Sequence, residues 1–320
     1  MIMNMDQRVY IAGHSGMVGS AIMRRCQDRG YTHIITRSHD DLDLTVQKDV
    51  EDFFRKYKPD IVILAAGKVG GIKSNNACRA DFIYENLTIE SNVIHSSYKY
   101  GVGKCIFLGS SCIYPRDSIQ PMREEYLLDG KCEPTNEPFA IAKIAGIMLC
   151  ESYWKQYGCN FYSIIPANMY GPNDNFDLET SHVVSALLLK CHRAKELNED
   201  DITLWGTGRP LRELLYVEDL AEVCVHLMET VNAKDIYRQG ITHLNIGTGK
   251  EISIRDLAQL VSKVVGYDGD IRFDTAYPDG MPRRLLDIDR MTKWGWQART
   301  PIEEGVALTY EWWLNHTQGN

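Results

Sequence analysis

The chain has 320 residues, 44 % of them hydrophobic and 24 % charged, with a formal net charge of −8 at pH 7. This composition is typical of a globular protein with one large domain or two joined lobes. We see no basic stripe, no apolar run of membrane-spanning length and no signal peptide, so we expect neither a nucleic-acid partner nor a membrane segment. Nine cysteines without a CxxC spacing predict reduced thiols, a cytoplasmic location and no metal site.

The first half of the chain alternates short apolar runs with amphipathic stretches. We predict strands at 8–13, 33–37, 60–66, 104–110 and 162–170, and helices at 17–29, 46–58, 80–100 and 139–157. Strands that alternate with helices imply a parallel sheet with helices on both faces. The predicted fold class is therefore α/β, with a doubly wound parallel sheet.

The second half is less regular and predicts a smaller C-terminal α/β lobe. Strand-like runs lie at 202–206 and 243–247, and helical patterns follow at 253–267 and 301–316. The likeliest boundary is at 166–172. The predicted division gives 1–170 and about 213–240 to the first lobe, and 171–212 and 241–320 to the second.

The first strand runs into GHSGMVG, which places Gly13, Gly16 and Gly19 at a strand-to-helix junction. Glycine there permits a tight turn and lets backbone amides approach a pyrophosphate, whose charge the following helix N-terminus favours. An ordinary strand-to-helix turn is the alternative. The βαβ context favours dinucleotide binding.

Arg37 ends the second predicted strand, where dinucleotide-binding folds that use NAD carry an acidic residue on the ribose 2′-hydroxyl. A cation suits a 2′-phosphate instead, so the sequence favours NADP, with a surface arginine as the alternative reading. Asp43 and Leu44 follow in DLDL. They are placed to border the adenine, and Asp43 could equally be a helix cap.

The fourth predicted strand ends in LGSSCIYP, at the edge of the sheet where such folds bind ligands. Ser110 and Ser111 offer hydroxyls to a substrate carbonyl, and the Cys112 thiol or thiolate can remove or return a carbon-bound proton. A buried apolar thiol is the alternative for Cys112. His182 is a candidate second acid/base group, or a structural histidine at a helix start.

Basic and aromatic side chains recur in the second half, in LLLKCHRAK, LWGTGRPLRELLYVEDL and DGMPRRLLD. Such side chains can hold a diphosphate and stack a base. A solvated basic face is the alternative. The candidates are Lys190, Trp205, Arg212, Arg283 and Arg284.

The sequence resembles the extended short-chain dehydrogenase/reductases, in particular members that convert GDP-sugars. The resemblance covers nearly the whole chain. It rests on IAGHSGMVGSAI, LAAGKVGGI, FLGSSCIYP, PTNEPFAIAKIAGI, ANMYGPNDNF, RELLYVEDLA, LNIGTG and PDGMPRRLLD. A generic short-chain reductase would share only the glycine loop and the lysine.

The resemblance implies a Rossmann domain that binds NADPH and a second lobe that holds a GDP-sugar. The implied reaction is 3,5-epimerisation and 4-reduction of GDP-4-keto-6-deoxy-D-mannose to GDP-L-fucose. Ser110 would hydrogen-bond the C4 oxygen, and Cys112 and His182 would be the acid/base pair. Lys143 would bind the nicotinamide ribose and lower the pKa of a tyrosine. A homodimer would form through helices near 80–100 and 139–157.

Further contacts follow from the same resemblance. The implied cofactor contacts are Gly13, Ser15, Gly16, Met17, Val18, Gly19, Arg37, Asp43, Leu44, Leu64, Ala65, Ala66, Lys143, Pro166, Asn168, Met169 and His182. The implied GDP-sugar contacts are Ser111, Asn168, Lys190, Trp205, Arg212, Asp279 and Arg284.

Two positions depart from the family pattern. Ser15 stands where the glycine loop commonly has an arginine that helps to bind the 2′-phosphate, which weakens the NADP preference. Phe139 stands where Y-x-x-x-K has its tyrosine, four residues before Lys143 on the same helical face. The packing should survive, but the proton donor to the C4 oxygen is lost, and reduction should fall by about 10²- to 10⁴-fold.

Three explanations of Phe139 are open: an engineered variant, a natural homologue with altered activity, or another residue that donates the proton. The alternative functions are another nucleotide-sugar 4-epimerase or reductase, a 4,6-dehydratase, and a non-catalytic NADP-binding homologue. A dehydratase would want carboxylates beside the catalytic serine. The sequence has Ser111 and Cys112 there instead.

Overall fold

A central parallel sheet organises the first half of the chain in the computed structural model, which describes residues 5–177, 180–277 and 279–317. Its strands are β1 (Val9–Ala12), β2 (Ile34–Ile35), β3 (Ile61–Leu64), β4 (Lys104–Leu108), β5 (Phe161–Pro166) and β10 (His243–Ile246). Their spatial order is β10-β5-β4-β3-β1-β2, and every pairing is parallel. The predicted α/β fold with a doubly wound parallel sheet is confirmed.

Helices cover both faces of this sheet because all its strands except β2 are fully buried and need apolar cover on two sides. The helices are α1 (Met17–Asp28), α2 (Gln47–Tyr57), α3 (Ile72–Ala77), α4 (Arg79–Lys99), α5 (Glu137–Tyr157), α6 (Val183–Leu197), α7 (Val217–Thr230), α8 (Ala233–Tyr237), α9 (Ile254–Val265), α10 (Asp289–Lys293) and α11 (Ile302–Thr317). On one side α4 packs against α2 and α5, and α1 packs against α7 in a separate layer.

A second buried cluster surrounds α6, α9 and the start of α11. Three small sheets accompany it, with strand orders β11-β8-β13, β12-β7 and β6-β9. Their strands are β6 (Asn168–Tyr170), β7 (Asp201–Trp205), β8 (Leu211–Arg212), β9 (Leu214–Tyr216), β11 (Ile252–Ser253), β12 (Asp270–Asp274) and β13 (Arg283–Arg284). The presence of two separate cores supports the predicted two lobes.

One part of the predicted division is wrong. The segment from 241 was assigned to the smaller lobe, whereas β10 pairs with β5 as the outer strand of the central sheet. Met291 and Trp296 also lie in the core of the first lobe. The chain therefore returns to the first lobe twice, once through α7, α8 and β10 and again through α10. The first return covers the edge of β5, which is buried only when β10 pairs with it. The remaining boundaries stay predictions.

Across the described ranges, no helix is both long enough and apolar enough to cross a membrane. Position 278, the first residue of the motif PDGMPRRLLD, lies outside the described residues, as do positions 1–4 of the predicted first lobe.

Candidate active site

The turn between β1 and α1 has the geometry of a phosphate cradle. Gly13 has a φ of +87°, and a Cβ there would lie 2.7 Å from the backbone nitrogen of Ala66. A Cβ at Gly19 would lie 2.1 Å from the Gly13 carbonyl oxygen, so the helix can approach the turn only because both are glycine. The first turn of α1 carries no acidic residue. Its N-terminal amides therefore favour an anion.

The other predicted cofactor residues border this cradle or the neighbouring strand ends. Gly16 is the N-cap of α1, and Met17 and Val18 form its first turn. Ser15 is exposed, and its carbonyl oxygen accepts a hydrogen bond of 2.8 Å from the Asn173 side chain. Leu64 ends β3, and Ala65 and Ala66 follow it; Pro166 ends β5, and Asn168 and Met169 begin β6.

The strand β2 is shorter than predicted, so Arg37 lies two residues beyond its end. The Arg37 guanidinium is 4.3 Å from the centre of the Tyr57 ring. Its contact with Tyr57 lowers the pKa of that phenol. Asp43 accepts hydrogen bonds from the backbone and hydroxyl of Thr45. It does not cap α2, whose N-cap is Val46, so that reading of Asp43 is wrong. Leu44 is buried beside it.

The carboxyl end of β4 turns into a short 3-10 segment that presents the predicted catalytic serine and cysteine. Ser110 is the N-cap of this turn, and its hydroxyl accepts a hydrogen bond of 3.5 Å from the Cys112 backbone nitrogen. Ser111 and Cys112 are each only 2 % exposed. Burial raises the pKa of the Cys112 thiol, and Ser110, Arg284 and Lys143 act in the opposite direction. The resting group is therefore a thiol within reach of positive charge.

Lys143 lies one helical turn beyond Phe139 on α5 and is almost fully buried. Its Nζ is 5.7 Å from the centre of the Phe139 ring and 4.8 Å from that of Phe107. The ammonium donates a hydrogen bond of 3.3 Å to the Leu108 carbonyl at the end of β4. Phe139 is half-buried and meets Phe82 edge to face. The lysine therefore lies beside a ring that carries no hydroxyl.

A carboxyl group that was not predicted lies behind this lysine. Glu90 of α4 is fully buried, and its Oε1 lies 3.1 Å from Lys143 Nζ. The signal was present in the sequence, because Glu90 shares the buried stripe of α4 with Phe82, Asn86 and Val93. A glutamate on the apolar face of a helix is rarely buried unless it is paired.

His182 is exposed at the N-cap of α6. A Cβ at Gly71 would lie 3.4 Å from the Thr180 carbonyl oxygen, so the loop before α6 packs on the glycine segment after β3. Burial raises the pKa of the Asp174 carboxyl, and its hydrogen bond from Ser185 and the nearby His182 act in the opposite direction. Asp174 was also missed, and it is the acidic neighbour of the predicted histidine.

Two arginines of the second lobe lie side by side on neighbouring strands, and one of them acts on the cysteine. Arg284 of β13 influences the Cys112 thiol electrostatically, and burial lowers the pKa of its own guanidinium. Arg212 pairs with it in register on β8, and burial lowers its pKa to about 10. Its Nη1 donates to the backbone carbonyls of Leu211 and Met281. Two adjacent, partly desolvated cations suit a diphosphate. Arg283 pairs with Glu251 instead.

The last predicted substrate residues lie further along this lobe. Trp205 is 66 % exposed and stacks on Tyr277 with ring centres 4.5 Å apart. An exposed, parallel aromatic pair presents a face on which a base can stack. Lys190 donates to the Thr203 carbonyl, and Asp279 accepts two hydrogen bonds from Thr207. Asp279 therefore shapes the loop beside Trp205.

Several known proteins are similar to this chain over almost its full length. The NAD dependent epimerase/dehydratase family model matches residues 9–247. The GDP-L-fucose synthase of Escherichia coli K12 is 50 % identical over 314 residues, which cover 97 % of each chain.

Two solved structures from Campylobacter jejuni have nearly the same fold, each with 37 % sequence identity. A GDP-6-OMe-4-keto-L-xylo-heptose reductase aligns with a TM-score of 0.94 over 98 % of this chain and 99 % of that one. A GDP-D-glycero-L-gluco-heptose synthase, solved in the presence of NADPH, aligns with a TM-score of 0.92 over 97 % and 99 %. The chain therefore belongs to the NAD dependent epimerase/dehydratase family, within the branch that contains the GDP-L-fucose synthases.

Proposed function

We propose that this chain acts on GDP-4-keto-6-deoxy-D-mannose, epimerises it at C3 and C5, and reduces C4 with NADPH to give GDP-L-fucose. The observation that carries this proposal is the cluster of Ser110, Cys112 and Lys143 at the carboxyl end of β4, with Arg284 of the second lobe facing the thiol. The 50 % identity to a GDP-L-fucose synthase supports the choice of substrate.

The chemistry explains why a thiol belongs in this cluster. A ketone at C4 acidifies the protons on both adjacent carbons, so one carbonyl serves both epimerisation and reduction. Each epimerisation needs a base on one face and an acid on the other. Cys112 supplies one group, and its nearby cations favour the thiolate that removes a carbon-bound proton. His182 supplies the second group from the loop that packs on Gly71. Ser110 holds the C4 oxygen.

The residues present fit a nicotinamide dinucleotide. Gly13 and Ala66 approach so closely that the turn has no room for a Cβ at Gly13. The first turn of α1 has no acidic side chain that would repel a phosphate from its backbone amides. Arg37 is the cation for a 2′-phosphate, which supports NADP even though Ser15 replaces the arginine of the usual loop. Lys143 would hold the nicotinamide ribose. When bound, NADPH supplies the hydride for C4.

Phe139 leaves this chain without the phenol that protonates the C4 oxygen. We propose that reduction is slowed by about 10²- to 10⁴-fold, the usual contribution of one general acid. Epimerisation does not need that phenol, because Cys112 and His182 are both retained. The chain then exchanges the C3 and C5 protons faster than it consumes NADPH.

The assembly that we propose is a homodimer formed by the outer faces of α4 and α5. These two helices pack against each other, and their outer surface carries exposed apolar side chains. The most exposed are Tyr84, Tyr98, Ile141, Met148 and Tyr157. Several exposed apolar side chains on two paired helices are typical of an interface. Sedimentation should show a dimer that Ile141→Arg converts to a monomer, and a monomeric parent would contradict the proposal.

We propose a cytoplasmic location because the cysteines are free thiols. All nine cysteines lie among the described residues, and each is a free thiol. Free thiols persist in a reducing compartment.

The function is tested on the chain as it is. GDP-4-keto-6-deoxy-D-mannose is incubated with the protein in deuterated water, with and without NADPH, and mass spectrometry and absorbance report deuterium uptake and NADPH consumption. We expect deuterium uptake with little NADPH consumption, and Cys112→Ala should abolish the uptake. Rapid NADPH consumption would contradict our account of Phe139. NADPH binding with neither signal would indicate a non-catalytic homologue.

A second candidate function is 4-reduction of a different GDP-4-keto sugar without epimerisation. The structural match to the GDP-6-OMe-4-keto-L-xylo-heptose reductase favours it. The same assay separates the two, because such an enzyme would incorporate no deuterium into GDP-4-keto-6-deoxy-D-mannose and would oxidise NADPH with a heptose substrate.

A further inference from the structure

Glu90 is a buried carboxylate that the proposed chemistry does not use. It lies in the middle of α4, fully shielded from solvent, with Oε1 3.1 Å from Lys143 Nζ. Apart from this ion pair, the described residues offer neither of its oxygens a hydrogen bond. A buried charge with unsatisfied lone pairs is costly to the fold. Such a group is therefore a candidate for a functional role.

The surrounding residues leave room for this carboxylate. A Cβ at Gly146 would lie 2.8 Å from Glu90 Oε2 and 2.5 Å from the Phe107 ring, so α5 passes close to α4 only because glycine stands there. Asn86, one turn before Glu90 on α4, already uses its amide on the backbone of Phe82 and Lys68. Glu90 is thus left facing Lys143 alone.

The lysine stands between this carboxylate and the cleft. Its Nζ is held by Glu90 on one side and by the Leu108 carbonyl on another, next to the rings of Phe107 and Phe139. Removing one partner of a buried ion pair leaves the other charge uncompensated. The ammonium would then move, and displacement of a catalytic group by about 1 Å can cost about 100-fold in rate.

The carboxyl group of Glu90 ionises near neutral pH. Burial raises the pKa of its carboxyl to about 7, and Lys143 acts in the opposite direction. The other titratable groups facing the pair are Cys150 on α5, which Glu90 influences, and Cys112, which Lys143 influences. Both thiols have pKa values raised by burial, so neither gains charge as Glu90 titrates.

We propose that Glu90 is a positioning residue whose carboxylate holds the Lys143 ammonium at the cleft wall, so that loss of its negative charge slows reduction more than proton exchange at the sugar carbons. The proposal rests on the function proposed above. If the proposal holds, protonation of Glu90 makes the rate of reduction depend on pH.

The kinetic test uses the Phe139→Tyr background, where reduction is fast enough to measure, and reports the ratio of NADPH oxidation to deuterium uptake. Glu90→Gln keeps the shape and removes the charge, and we expect it to lower this ratio by about 10- to 100-fold. Glu90→Asp, which keeps the charge, should recover part of the loss. Equal ratios for the parent and Glu90→Gln would overturn the proposal.

The pH profile separates positioning from a purely structural role. As pH falls through about 7, protonation of Glu90 should bring the ratio of the parent to that of Glu90→Gln measured at the same pH. Comparing the two proteins at each pH cancels the titration of Cys112, which both retain. Above about pH 7 the two ratios should separate. In a Lys143→Met background, Glu90→Gln should cause no further loss, because it acts only through the lysine. An additional loss there would refute the proposed route.

A measurement without cofactor or substrate makes the outcome independent of the proposed function. Infrared difference spectra of the parent protein between about pH 5 and pH 9 should show one carboxyl group that ionises near neutrality and is missing in Glu90→Gln. A Glu90 that stays protonated at the upper limit would overturn the inference, whatever the enzyme does. Absence of both deuterium uptake and NADPH oxidation would instead count against the proposed function.

Discussion

Restoring the missing hydroxyl is the most informative perturbation of this site. Phe139→Tyr adds one oxygen to a half-buried ring that packs against Phe82, so the fold should tolerate it. Lys143 Nζ lies 5.7 Å from the centre of that ring. At this separation and an effective dielectric constant of about 20, an ammonium and a phenolate attract by about 3 kcal/mol. That attraction would bring the pKa of the new phenol from about 10 to about 8.

The introduced phenol would then be a proton donor matched to neutral pH. Glu90, 3.1 Å from the same Nζ, weakens the attraction, so about 8 is the lower end of the expected range. A general acid contributes about 10²- to 10⁴-fold, which corresponds to about 3 to 5 kcal/mol of the barrier. NADPH oxidation with GDP-4-keto-6-deoxy-D-mannose should rise by that factor, while deuterium uptake should change far less.

The control for this prediction is Phe139→Leu, which alters the packing and adds no hydroxyl. We expect it to give no gain in NADPH oxidation. If Phe139→Tyr folds with an unchanged melting temperature and also gives no gain, another group donates the proton. The assignment of the missing acid to this position would then be wrong.

Three further predictions concern other parts of the molecule. Because burial raises the pKa of the Cys112 thiol, deuterium uptake should rise about tenfold per pH unit between about pH 6 and pH 8, and a flat profile would exclude a thiolate base. Trp205→Ala removes one half of the stack with Tyr277, and calorimetry should show GDP binding weakened by about 1 to 3 kcal/mol. Glu213 is buried and accepts hydrogen bonds from three backbone amides. Glu213→Gln should therefore lower the free energy of unfolding by about 1 to 3 kcal/mol in chemical denaturation, against little change for the exposed Glu303→Gln.

Local patterns predicted most strands and helices of the first half of the chain, but the predicted strand 162–170 is wrong, because the chain leaves the central sheet after β5 and β6 pairs with β9 instead. Continuous apolar runs predict strands that are buried on both faces, and β3 and β4 lie where those runs are. The glycines at 13 and 19 are required by contacts within one strand-turn-helix unit, which a sequence motif can encode. Lys143 follows Phe139 by one helical turn, so helix geometry alone predicted that they share a face.

Contacts between distant segments were not predictable in the same way. β10 reads as one more short strand, and only its pairing with β5, about eighty residues earlier in the chain, places it in the central sheet. Arg284 approaches Cys112 from the opposite lobe. A sequence pattern reports periodicity along the chain, whereas these contacts depend on how the lobes pack.

The sequence by itself determined the α/β class, the glycine turn after β1 and the position of Phe139 one helical turn before Lys143. These are properties of short segments whose backbone geometry depends on their own residues. The tertiary structure alone decided that Glu90 lies against Lys143, because their helices meet only when α4 and α5 pack side by side at Gly146. Burial removes the water that would stabilise both charges. The Glu90 carboxylate is therefore stabilised mainly by the Lys143 ammonium beside it.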